Sequence, residues 1–149
     1  ITIGLSKIKL GMQKNIILGN LNAKRDWGHA SDYAEAMWKM MQLKKPDDFV
    51  IATGKQHSVR EFVNIAAKHL GINIKWIGKG INEKGIDKDT GKIIIKIDKK
   101  YFRPTEVDSL LGDARKANKI LKWRPKITFH QMVKEMVEND LNEQKNLVL

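Results

Sequence analysis

Short apolar runs suited to strands alternate along this chain with segments of helical period, and that alternation points to the α/β class. Ile1, Leu5 and Ile8 give the first ten residues a helical spacing, with Gly11 as the stop. Ile16, Ile17 and Leu18 centre a short strand over 15–21. A polar turn over 22–28 leads into a helix over 31–43, with Tyr33, Met37, Met40 and Met41 as its candidate core face. Residues 49–52 read as a buried strand. Ser58 and Glu61 then form a capping box for a helix that Gly71 closes. A strand over 72–77 precedes a stretch rich in Gly, Asn, Asp and Lys over 78–92, which reads as a loop insertion. Ile93 to Ile97 is the next strand. Asp113 caps a short helix that Trp123-Arg124-Pro125 ends. Thr128 and Gln131 box the start of the last helix, whose stripe is Met132, Val133, Met136, Val137 and Leu141. Residues 142–149 are expected as a frayed tail.

A chain of 149 residues is long enough for one domain, or part of one, to bury a core without staples. It has no cysteine, which excludes disulfides and cysteine-ligated zinc and is compatible with the cytoplasm, the expected location. Its apolar runs, such as Ile93 to Ile95, are too short to span a bilayer. The opening Ile1-Thr2-Ile3-Gly4 is no signal peptide and lacks an initiator Met, so the chain is expected to begin inside a larger protein. The formal net charge of +11 raises a nucleic-acid partner as one reading. Its lysines are scattered rather than clustered, and no aromatic-interleaved basic motif is present, so no specific nucleic acid is expected.

Complete catalytic machinery does not emerge from these residues. Gly78-Lys79-Gly80 lies in a polar stretch with no helix after it, so it fails the context of a dinucleotide loop. His29, His57, His69 and His130 have no metal-type spacing. Two segments have the chemistry of an anion site. In Lys24-Arg25-Asp26-Trp27-Gly28-His29, Arg25 can fork across two phosphate oxygens, while Asp26 holds a guanidinium or caps the next helix. In Tyr101-Phe102-Arg103-Pro104-Thr105-Glu106, Arg103 suits a diphosphate and Glu106 accepts from a pair of ribose hydroxyls. The competing reading of each is a surface turn, with an internal Arg–Glu pair in the second.

Taken together these segments resemble the GDP-mannose 4,6-dehydratases, within the extended short-chain dehydrogenases that act on sugar nucleotides. The resemblance rests on Leu18-Gly19-Asn20-Leu21, Ala23-Lys24-Arg25-Asp26-Trp27-Gly28-His29, Tyr33 with Glu35-Ala36-Met37-Trp38, and Ile51-Ala52-Thr53-Gly54. It continues in order through His57-Ser58-Val59-Arg60-Glu61-Phe62, Tyr101-Phe102-Arg103-Pro104, Glu106-Val107-Asp108, Leu111-Gly112-Asp113, and Trp123 with Pro125. It implies the C-terminal, substrate-binding part of such an enzyme, with the Rossmann core largely missing. Residues 1–141 would then be the GDP-mannose-binding portion.

The family is a lyase that uses NADP to take hydride from the hexose C4, eliminates water across C5 and C6, and returns hydride to C6. Its product, GDP-4-keto-6-deoxymannose, feeds deoxysugar biosynthesis of the GDP-fucose type. By this resemblance Arg25 and Arg103 grip the diphosphate and Glu106 holds the ribose, with Asn20 and Lys24 beside them. The cofactor-binding and catalytic residues would lie upstream of Ile1, so none is assigned here, and the isolated chain is expected to be inactive. The full-length parent is expected to be a homo-oligomer. The sister reading is a GDP-sugar epimerase or reductase, which Trp27-Gly28-His29 and Phe102-Arg103-Pro104 argue against.

Overall fold

The computed structural model describes residues 1–101 and 110–147. Five helices, α1 (Thr2–Lys9), α2 (Ala30–Met41), α3 (Val59–His69), α4 (Arg115–Leu121) and α5 (Phe129–Asn146), surround six short strands. The strands are β1 (Ile16–Leu18), β2 (Lys24–Arg25), β3 (His57–Ser58), β4 (Ile74–Ile77), β5 (Lys84–Asp87) and β6 (Ile93–Ile97). β1, β6, β5 and β4 form one sheet in that order, and β2 pairs with β3 alone. β1 runs parallel to β6, with Ile16 opposite Ile95; β5 runs antiparallel to both its neighbours. The mixed sheet and its helices are the α/β arrangement expected.

Burial explains why these segments become these elements. α5 starts at a complete capping box: Thr128 accepts from the Gln131 backbone, and the Gln131 side chain accepts from the Thr128 backbone N–H. Its Phe129, Val133 and Val137 then meet Leu5 of α1, Val63 and Ala66 of α3, and Ile95 of β6 in the main core. A second, smaller core joins α2 and α4 through Ala36, Ala117, Leu121 and the buried Trp123. Helix α4 ends where Lys122 turns left-handed, just before Trp123.

Four elements differ from expectation. Residues 78–92 are not a plain loop: they carry β5, which borrows its order from β4 and β6 on either side. Gly85 there is buried against Ile74 and Ile95, so that a side chain would fit only if these neighbours shifted. Residues 49–52 join none of the strands; Phe49 and Ile51 pack instead on the smaller core. Met37 and Met41 face outward, because Asp32, Ala36 and Met40 turn to the interior of α2. Finally, α5 continues past Asn142 to Asn146, with Gln144 buried on it.

Candidate functional site

The stretch from Asn20 to Arg25 leaves the end of β1 as an extended turn whose side chains alternate. Leu21 and Ala23 are buried, while Asn22 and Lys24 face out. The Asn20 Oδ1 accepts from the Asn22 N–H at 2.9 Å, an Asx turn that sets the bend. The start of α3 clips this stretch along its backbone: Arg60 N–H donates to the Leu21 carbonyl (2.9 Å) and Val59 N–H to the Ala23 carbonyl (3.1 Å). β2 and β3 extend the clip, with Lys24 opposite Ser58 and Arg25 opposite His57. The turn is therefore held largely by main-chain bonds.

Arg25 is half-buried and its Nη1 donates to the Lys24 carbonyl at 2.7 Å. It opens onto a cavity of about 310 Å³ that it shares with Asp26, Tyr33, Val50, Ile51, Ala52 and Leu110 to Gly112. The Asp26 carboxylate ties down the opposite wall, accepting from the Thr53 N–H (3.0 Å) and hydroxyl (2.5 Å) and from the Gly54 N–H (2.8 Å). The residue capping α2 is His29, whose Nδ1 accepts from the Ser31 N–H. Burial first, and then the Asp26 and Asp32 carboxylates, push the Tyr33 phenol above its ordinary range.

Arg103 and Glu106 lie outside the described residues. Both shoulders of their segment do not. Tyr101, before it, sits so close to Gly19 that a Cβ there would strike the Tyr101 carbonyl. Leu110, Leu111 and Gly112, after it, line the Arg25 cavity, and a Cβ on Gly112 would strike that of Ala52. The two ends thus meet the two ends of the Gly19-to-Arg25 stretch. Asn20, Lys24 and Arg25 share one stretch of backbone, with Arg25 directed into the cavity.

Two supporting groups lie outside the expected set. Asp32 is buried, and its Oδ2 accepts from the Lys126 and Ile127 N–H groups at 2.9 Å each, while its carbonyl accepts from the Trp123 indole at 2.8 Å. Arg60 forks onto Glu83 at 2.6 and 2.9 Å. Asp32 has one sequence signal, an acid in the first turn of a helix. Glu83 has none, since its reach depends on the fold of 78–92. Among the described residues, no cluster of His, Asp or Glu is placed to hold a metal ion.

The GDP-mannose 4,6 dehydratase family model matches residues 1–136. The chain belongs to this family. It is 55% identical over 146 residues to GDP-mannose 4,6 dehydratase of Dictyostelium discoideum, covering 98% of this chain and 41% of that protein. To the human GDP-mannose 4,6 dehydratase it is 54% identical, covering 95% of this chain and 38% of that protein. The chain thus spans about two fifths of the length of its dehydratase relatives. Among solved structures it is similar to RMD from Pseudomonas aeruginosa complexed with NADPH (TM-score 0.73, 15% identity, 95% of this chain and 40% of that one). It is also similar to dTDP-glucose 4,6-dehydratase from Bacillus anthracis in complex with NAD (TM-score 0.68, 18% identity, 97% and 39%). At such identities these two show a shared fold and nothing more.

Among the described residues, the parallel strands β1 and β6 lead into the Asn20–Arg25 turn and into the short helical turn Lys99–Tyr101, neither of which is the glycine-rich entry to a helix that cradles a dinucleotide.

Proposed function

We propose that this chain is the C-terminal, sugar-nucleotide-binding portion of a GDP-mannose 4,6-dehydratase, the lyase that converts GDP-mannose to GDP-4-keto-6-deoxymannose. The observation that carries the reading is the meeting of the Gly19-to-Arg25 stretch with both shoulders of the segment bearing Arg103 and Glu106: Tyr101 lies against Gly19, and Leu110 to Gly112 line the Arg25 cavity. Arg25 and Arg103 grip one diphosphate from two directions, because a guanidinium forks across phosphate oxygens. Glu106 accepts from the ribose hydroxyls, and Asn20 and Lys24 border the nucleotide. These residues bind and orient; the redox chemistry belongs to NADP, to which no described residue is assigned. The parent enzyme acts as a cytoplasmic homo-oligomer. The charge of +11 sits on scattered exposed lysines, such as Lys14, Lys45, Lys68 and Lys88, and serves no sequence-specific nucleic acid.

Calorimetric titration of GDP, GDP-mannose and NADP into the protein tests this. Both guanine nucleotides should bind and NADP should not, and the chain alone should not dehydrate GDP-mannose. Hydrogen bonds to charged groups are worth about 1.5–3 kcal/mol, so Arg103→Ala should weaken GDP-mannose binding about tenfold to a hundredfold. Turnover or NADP binding by the chain alone would overturn this division of labour. Failure of GDP to bind would overturn the site.

A further inference from the structure

The nucleotide stretch has one support that its own backbone does not supply. Arg60 stands in the first turn of α3, immediately beside the clip that holds Leu21 and Ala23. Its guanidinium donates through Nη1 to Glu83 Oε1 (2.6 Å) and through Nη2 to both Glu83 Oε2 (2.9 Å) and Asn22 Oδ1 (3.2 Å). It also lies 4.8 Å from the centre of the Trp76 ring, on β4. The Glu83 side chain is only 13% exposed, so its charge depends on Arg60 for compensation. Asn22 is the outward-facing residue midway between Asn20 and Arg25. A planar group held by a carboxylate and a ring is fixed in orientation, and in it Nη2 also reaches Asn22 of the nucleotide stretch.

Glu83 reaches this place because of the hairpin it begins. The turn Gly80–Asn82 closes with Glu83 N–H donating to the Gly80 carbonyl, and the pairing of Ile77 with Lys84 sets the register of β5 immediately afterwards. The segment between 78 and 92 is thus joined to the nucleotide stretch through two side chains in series: Glu83 holds Arg60, and Arg60 touches Asn22. Neither lines the Arg25 cavity.

We propose that Glu83 and Arg60 are positioning residues for sugar-nucleotide binding: the β4–β5 hairpin, through Glu83, orients Arg60 so that it holds Asn22 and with it the Asn20–Arg25 stretch in binding geometry. This rests on the nucleotide-binding reading above. The pair acts on affinity for the guanine nucleotide through Asn22, not through contact with the ligand.

Glu83→Gln keeps the shape of the side chain and removes its charge, and Asn22→Ala removes the far end of the relay at an exposed position. GDP affinity by calorimetry and the urea midpoint are measured for both, for the double variant and for the unaltered chain. Each single variant should weaken GDP binding about three- to tenfold, and the double variant no further than the weaker single, because both cut one relay. Asn22→Ala should leave the urea midpoint unchanged. GDP affinity unchanged in both singles, with a lowered midpoint in Glu83→Gln, would reduce the pair to scaffolding and overturn the proposal. Multiplying effects in the double variant would overturn it too, since Asn22 would then act without Glu83. If the unaltered chain does not bind GDP, the nucleotide-binding reading itself fails, an outcome distinct from unaltered affinity in the variants.

Discussion

Asp32 shows how much one side chain can hold in this chain. It sits in the first turn of α2 yet faces inward, where one carboxylate oxygen satisfies two N–H groups of the 126–127 backbone. Asp32→Ala strands both donors in a part-buried place, so it should cost about 2–4 kcal/mol, read from urea unfolding. A loss within measurement error would mean that the 126–127 segment finds water instead. Tyr33, the next residue, has a different signature. Its raised pKa means that the folded state holds the phenolic proton more tightly than the unfolded chain. Stability from this group is full below the ordinary tyrosine pKa of about 10 and is lost as pH rises through the higher folded value. Urea midpoints should therefore fall above about pH 10, and Tyr33→Phe should flatten that fall. Equal slopes in the two proteins would contradict this. Of the candidate site residues, Arg25 was singled out from its sequence because a charged turn between strand and helix has a recognisable chemistry, and it lines a cavity. Asp32 and Glu83 were not, because a carboxylate that faces inward looks in a sequence like one that faces out.

Among the elements, α5 is the one whose boundaries local chemistry controls most directly. Both halves of its capping box are made, so Thr128→Ala should remove the cap and cost about 1 kcal/mol in the urea midpoint analysis. Thr128→Ser should retain most of that stability, and equal losses in both variants would remove the hydroxyl from the explanation. β6 was readable as an apolar run, Ile93-Ile94-Ile95, whose partners β1 and β5 lie on both sides. β5 was not, since Lys84-Gly85-Ile86-Asp87 has neither alternation nor strand propensity and is ordered by its neighbours. Residues 49–52 erred the other way, with strand-like side chains but no place in the strands described. In α2 the expected face held at Tyr33 and Met40, which pack on the smaller core, but not at Met37 and Met41, which face outward while Asp32 and Ala36 are buried.

Across the whole molecule, the two cores divide the labour. The main core packs α1, α3 and α5 on the sheet, and α3 in turn clips the Asn20–Arg25 stretch. The smaller core carries α2, α4 and the wall formed by Ile51, with Ala52 packed directly on Gly112 beside the cavity. Arg25 sits between a stretch anchored to the first and a wall anchored to the second. That arrangement draws Arg25, Ile51, Ala52 and Leu111, distant in sequence, to one place. The α/β class followed from periodicity, whereas the convergence follows from packing. A crystal structure of the protein with GDP tests the account most directly. It should place the Arg25 and Arg103 guanidinium groups about 3 Å from oxygens of one diphosphate, with the Glu106 carboxylate on the ribose hydroxyls. GDP bound away from the Arg25 cavity, or Arg25 and Arg103 directed to opposite faces of the fold, would contradict it.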